Sequence, residues 1–255
     1  MQKVLVICGP TCVGKTDISI DLAHQLNGEI INGDSMQVYK EMNIGTAKIT
    51  KKEMSDIPHH LFDIKTIKES FSVSEYQKLV REKINEICSK GKLPIIVGGT
   101  GLYLKAALYD YEFTEEEKIN YNLEQRTNED LYAELLEKDP KTAKNTHINN
   151  KKRIIRALEI LYKNGLGKED LNKTQEHEPI YNVFYLGLTK DRESLYKAIE
   201  ERVDKMAEEG LIDEAKYIFE NASQTSTCLQ AIGYKEFFDY FKGNYSLDLA
   251  IYNIK

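Results

Sequence analysis

Residues 9–16 read Gly9-Pro10-Thr11-Cys12-Val13-Gly14-Lys15-Thr16, a G-x-x-x-x-G-K-T pattern. It follows a short apolar run, Lys3 to Cys8, and opens a helical stretch from about Gly14 to Leu26. A strand before this motif and a helix after it are the context that makes it a phosphate-binding P-loop. The glycines let backbone N–H groups turn inward around an anion, and the helix N-terminus adds partial positive charge. Lys15 supplies a point charge for a terminal phosphate, and the Thr16 hydroxyl can ligate Mg²⁺. The motif therefore forces a strand–loop–helix unit and a diphosphate or triphosphate ligand. It does not say which.

The rest of the chain continues that alternation. Glu29 to Asn32 reads as a second strand and His60 to Ile64 as a third extended piece. Ser72-Val73-Ser74-Glu75 has capping-box spacing and opens a helix that runs to Lys90 and stops at Gly91. Pro94 to Val97 is a further strand, followed by Gly98-Gly99-Thr100-Gly101 and a helix. The expected fold is α/β: a P-loop-containing parallel sheet with helices on both faces, plus a small helical insert. The expected organisation is a first part of the core over 1–109, the insert over 110–150, and a second part of the core over 151–255. Val183 to Leu188 returns to the sheet, and the remainder is helical.

Composition restricts function less. The net charge of −6 argues against a protein that coats nucleic acid non-specifically, though not against a local basic surface. Cys8, Cys12, Cys88 and Cys228 form no C-x-x-C pair and have no His cluster beside them, which points to a reducing, cytoplasmic setting. No apolar run reaches the ~18 residues of a membrane span, and a monomer is expected.

Three further groups carry chemistry. Asp34 follows the second strand, so a parallel sheet brings it to the same crevice as the P-loop, with Thr100 joining from a third strand end. There Asp34 can serve as a general base or simply cap a turn; the residues leave both open. Arg202 falls within about 20° of Leu195, beside the apolar stripe of its helix. An inward arginine needs an anion, either a diphosphate or a protein carboxylate, or must snorkel past the apolar edge. Lys152, Arg156 and Lys163 cluster on one side of a helix around 151–163, with Arg153 at the flank. That stripe fits a nucleic-acid backbone or a solvated face. No apolar run ends in the second metal-binding Asp of an ordinary NTPase. A small-molecule kinase and a nucleotide-dependent switch remain as alternative readings.

Taken together, eight segments resemble the bacterial tRNA dimethylallyltransferases. They are GPTCVGKT (9–16), INGDSMQVYKEMNIGTAK (31–48), PHHLFD (58–63), PIIVGGTGLYLKAAL (94–108), DP (139–140), KKRIIRALE (151–159), RVDKMAEEGLIDEA (202–215) and QAIGYKE (230–236). The resemblance implies transfer of a dimethylallyl group from dimethylallyl diphosphate to N6 of an adenosine beside the tRNA anticodon, with Mg²⁺ assisting. The P-loop would hold the prenyl diphosphate, and ATP would not be needed. Asp34 would be the base, Thr100 would lie near the reacting nitrogen, and Arg202 would steady the leaving diphosphate. Asp34, Ser35, Met36 and Gln37 would meet the target base. Lys152, Arg153, Ile154, Ile155 and Arg156 would contact the tRNA, with the insert on the anticodon stem-loop. Prenylation of free adenine nucleotides is the alternative within the same chemistry.

The chain departs from the family pattern in three places. The pattern continues past the position of Lys255 with a basic, aromatic segment, so the C-terminal region is expected to be truncated. The stretch from Glu115 to Arg126 is short for the insert. Cys12 stands where a small residue is usual, a change expected to matter little because backbone makes the grip.

Overall fold

The computed structural model describes residues 1–111, 113, 122–165, 167 and 178–255. Five parallel strands form one sheet in the order β3-β2-β4-β1-β5. These are β1 (Lys3–Cys8), β2 (Gly28–Asn32), β3 (His59–His60), β4 (Leu93–Val97) and β5 (Asn182–Gly187). The expected strands agree within a residue or two, except that β3 begins one residue earlier and closes after two. Alternation along β1 explains the layering. Val4 and Val6 enter one core with Ile31 and Ile96. Leu5 and Ile7 enter another with Ile30 and Ile95. Successive side chains of a strand point to opposite faces, so two apolar layers follow, and helices cover both.

Helix α1 (Lys15–Gln25) contributes Ala23 to the second layer, with Ile18 and Leu22 packed against it. Helix α2 (Val73–Ser89) sends Tyr76, Val80, Ile84 and Ile87 into the first, where α3 (Gly101–Leu108) adds Leu104 and Ala107. Ser72 caps α2 by accepting from the Glu75 N–H. Only half of the expected capping box forms, because the Glu75 carboxylate pairs with Lys65 at 2.8 Å instead.

The carboxyl ends of β1, β4 and β2 lie side by side and carry the P-loop, the Gly98-Gly99-Thr100 turn and Asp34. Their backbones approach closely. Gly33 donates its N–H to the Val97 carbonyl at 2.8 Å. A Cβ on Gly98 would stand 2.3 Å from the Gly33 carbonyl carbon and oxygen. Gly98→Ala must therefore push two strand ends apart. It is expected to lower stability by about 1–3 kcal/mol, read by urea unfolding; an unchanged midpoint would show that the strand ends yield freely.

The chain divides into two compact units, 1–110 with 179–255, and 111–178. The first holds the sheet, α1–α3, and four later helices: α7 (Arg192–Glu208), α8 (Leu211–Asn221), α9 (Lys235–Phe241) and α10 (Leu247–Ile254). The second contains α4 (Asn128–Lys138), α5 (Pro140–Lys144) and α6 (Lys151–Asn164). Leu131, Leu135, Ala143, Ile154, Ala157 and Leu158 form its own core. Glu134 there takes hydrogen bonds from Arg126, Lys138 (2.6 Å) and Tyr162. The expected return to the core at residue 151 is thus corrected to Pro179. Helix α6 buries its apolar stripe against α4, so it belongs to the second unit. The short stretch noted at 115–126 lies outside the described residues up to 121.

Candidate active site

The P-loop wraps from β1 to the first turn of α1 through Cys12 at φ 60° and Gly14 at φ 87°. Gly14 supplies no side chain to cap the helix, which leaves that end of α1 to other acceptors. Lys15 Nζ donates to the carbonyls of Gly9 (3.0 Å) and Pro10 (2.6 Å). An ammonium has three protons, so one remains for an anion. Burial and the neighbouring Arg202 charge hold the Lys15 pKa below the ordinary lysine value, with Asp34 opposing.

A cavity of about 420 Å³ opens on this loop. All eight P-loop residues line it, with Asp17, Asp34, Gln37, Thr46, Ala47, Gly98, Gly99 and Arg202 among the others. The three chemical groups expected to converge, Lys15, Asp34 and Arg202, therefore share one space. Asp34 caps a turn, one of the two roles its sequence context left open, and also lines the cavity. Its Oδ1 accepts the N–H groups of Met36 (2.8 Å) and Gln37 (3.3 Å), capping a turn. No described group donates to Oδ2, which leaves that oxygen for a ligand at the cavity. The strand end is fixed by Asn32, whose amide group accepts from the Asp34 N–H at 2.8 Å and donates to the Asp34 carbonyl at 3.0 Å.

Arg202 reaches the cavity from α7. Nη2 donates to the Thr46 carbonyl at 3.3 Å, and Nη1 lies 4.0 Å from Cys12 Sγ. No carboxylate lies within 4.0 Å of either Arg202 or Lys15 among the described residues, although Lys and Arg pairs are common elsewhere in the chain. The protein-carboxylate alternative for Arg202 therefore finds no partner among the described residues, and its guanidinium meets the Thr46 carbonyl at the cavity.

Other expected site residues fall elsewhere. Thr100 is the N-cap of α3 and makes no side-chain cap bond; Gly98 and Gly99 line the cavity, but Thr100 does not. Ser35 and Met36 also lie off its wall, and Gln37 lies on it. In the second unit, Lys152, Arg153 and Arg156 are exposed on α6. Ile154 and Ile155 are 0% and 6% exposed in that unit's core. A direct tRNA contact through those two side chains is therefore corrected, because they point away from solvent.

Sequence reasoning missed Asp17, Thr46 and Ala47. An acidic residue in a first helical turn is ordinary, and the other two carry no titratable group, so no signal marked them.

The donor set suits magnesium. The Thr16 hydroxyl and the Asp17 and Asp34 carboxylates give hard oxygen donors at one cavity. No cluster of three His, Cys, Asp or Glu side chains forms a metal cage among the described residues. Mg²⁺ at such sites is typically held by one or two protein oxygens together with substrate phosphates.

The model of the IPP transferase family matches residues 37–255. The chain belongs to the IPP transferase family. The tRNA dimethylallyltransferase of Bacillus anthracis is 49% identical over 261 residues, covering 100% of this chain and 83% of that relative. The same-named protein of Bacillus cereus (strain 03BB102) is 49% identical, with 100% and 82% covered. Among solved structures, a full-length tRNA isopentenylpyrophosphate transferase from Bacillus halodurans superposes with TM-score 0.74 at 45% identity, covering 100% of this chain and 82% of that one. A eukaryotic dimethylallyltransferase acting on tRNA superposes with TM-score 0.85 at 34% identity, covering 100% and 66%. The IPP transferase family match begins after the P-loop and Asp34, but these relatives cover both.

Proposed function

We propose that this transferase moves a dimethylallyl group from dimethylallyl diphosphate to N6 of the adenosine at tRNA position 37, beside the anticodon, and releases diphosphate. The observation that carries the reading is the shared cavity. Lys15 and Arg202 present cationic donors there with no carboxylate partner among the described residues, and Asp34 presents a carboxylate oxygen.

The P-loop amides, the Lys15 ammonium and the Arg202 guanidinium bind the diphosphate and stabilise its growing charge as the C–O bond breaks. The N6 lone pair forms the new C–N bond, and Asp34 Oδ2 takes the N6 proton. An exocyclic amine is a weak nucleophile, so orienting it beside a base supplies much of the rate. The target adenine leaves its stack to reach the cavity. Gln37, which lines the cavity, meets the target base; Thr100, Ser35 and Met36 lie off its wall. The Thr16 hydroxyl, with the substrate phosphates, would hold Mg²⁺, which would supply charge neutralisation of the diphosphate. The protein works in the cytoplasm, in keeping with four unpaired cysteines and with no described helix long and apolar enough to cross a membrane.

The exposed Lys152, Arg153 and Arg156 support tRNA over free nucleotide as acceptor. Replacing Lys152 and Arg153 with alanine is expected to weaken tRNA binding and flatten its dependence on salt, by about 0.7 in logarithmic slope per lost phosphate contact on a single strand. An unchanged slope would remove α6 from the RNA contact. The function itself is tested with unmodified tRNA, Mg²⁺ and dimethylallyl diphosphate: N6-prenylated adenosine at position 37 is expected. Product from a free adenine nucleotide and none from tRNA would replace the acceptor.

A further inference from the structure

The loop that forms one wall of the cavity, residues 43–47, is held from two sides by one pair of helices. From α7, Arg202 Nη2 donates to the Thr46 carbonyl. The chain then turns at Gly210, and from α8 Glu214 reaches the other end of the same loop. Its Oε2 accepts the N–H groups of Asn43 and Ile44, both at 3.0 Å. Its Oε1 accepts from Ile44 (3.0 Å) and Gly45 (3.1 Å). Three successive backbone N–H groups thus close on one carboxylate, the kind of nest that otherwise binds a free anion.

The nest has a floor. Tyr234, fully buried, donates its hydroxyl to Glu214 Oε1 at 2.6 Å. Gly45 packs against its ring so closely that a Cβ there would stand 2.5 Å from the ring carbon Cζ. Burial, reinforced by the Glu214 charge, raises the Tyr234 pKa, so the phenol stays protonated and continues to donate. The wall then passes this order to the site. The Thr46 carbonyl accepts from both Gln37 Nε2 (3.0 Å) and Arg202 Nη2 (3.3 Å). It is the carbonyl that the Arg202 guanidinium meets at the cavity.

We infer that Glu214 is a positioning residue for the transfer reaction: it anchors the loop 43–46 so that the Thr46 carbonyl aims Arg202 into the diphosphate cavity. The inference rests on the proposed prenyl transfer. It predicts that Glu214 acts through Arg202. A carboxylate is required, because a glutamine would bring an NH₂ group against backbone donors.

The test is a double-mutant cycle on the full chain, with dimethylallyl diphosphate and tRNA as substrates and thermal unfolding followed alongside. Glu214→Gln is expected to cut kcat by about 10- to 100-fold, the usual loss when an outer-sphere partner goes, with KM for tRNA changed less than about 2-fold. In an Arg202→Ala background the same change is expected to cost less than about 3-fold, because coupled residues are non-additive. Equal losses in both backgrounds would overturn the inference. If Glu214→Gln does not fold, Tyr234→Phe removes a single hydroxyl from the nest and carries the same cycle with a smaller loss. Wild-type protein that turns over no prenyl diphosphate would instead sink the reaction itself, a result visible before any variant is made.

Discussion

Asp34→Asn is expected to reduce prenyl transfer by about 10³-fold while leaving diphosphate affinity within about 3-fold of wild type. The magnitude is that of losing a positioned general base. Asparagine is the informative substitution because Asp34 has two tasks. Its Oδ1 caps the turn through Met36 and Gln37, and an amide oxygen can keep that cap. What asparagine lacks is the basic oxygen at the cavity. Asp34→Ala loses both and adds about 1 kcal/mol of lost capping. Single-turnover transfer beside calorimetric diphosphate binding separates the two. Weaker binding with turnover intact would remove Asp34 from the base role.

Lys15→Ala is expected to act in the opposite way, weakening diphosphate binding by about 10- to 100-fold, the worth of one hydrogen bond to a charged group at about 1.5–3 kcal/mol. Its ammonium bridges the loop carbonyls of Gly9 and Pro10, so unfolding must be measured beside binding. A pH signature accompanies it. The cation is the binding form, and burial with Arg202 nearby lowers its pKa. Wild-type affinity should therefore fall as pH rises through a value below that of an ordinary lysine. Lys15→Arg, which keeps its charge throughout that range, should remove the fall. A Lys15→Ala protein that binds diphosphate normally would place the anion elsewhere.

The parts of this site legible in the sequence are those whose chemistry is local. The P-loop is a contiguous pattern with its strand and helix on either side. Arg202 is legible from helical phase, because a cation beside Leu195 needs an anion. Asp34 is legible in place but divided in role, since turn capping and base chemistry ask for the same side chain at the same strand end; the structure shows the cap on Oδ1 and leaves Oδ2 for the proposed base. Thr100 shares a strand-end turn with Gly98 and Gly99, but spacing does not say which residues of a turn face a cavity. Glu214 could not be found at all. Apart from the Tyr234 hydroxyl, its partners are backbone N–H groups some 170 positions away, and backbone leaves no mark in a residue pattern. Helix α6 lies in the second unit and not in the expected core for a related reason. The stripe of Ile154, Ala157 and Leu158 says that the helix buries a face and is silent about which core receives it.

The central claim is that one cavity binds a prenyl diphosphate at the P-loop for attack by an adenine amine. The most direct measurement offers the protein unmodified tRNA with dimethylallyl diphosphate labelled in the prenyl group or with ATP labelled in its terminal phosphate. The expected result is prenyl label in the tRNA, with one diphosphate released per label incorporated and no phosphate transfer from ATP. Transfer of the ATP label to an acceptor, with no prenyl label incorporated, would contradict it.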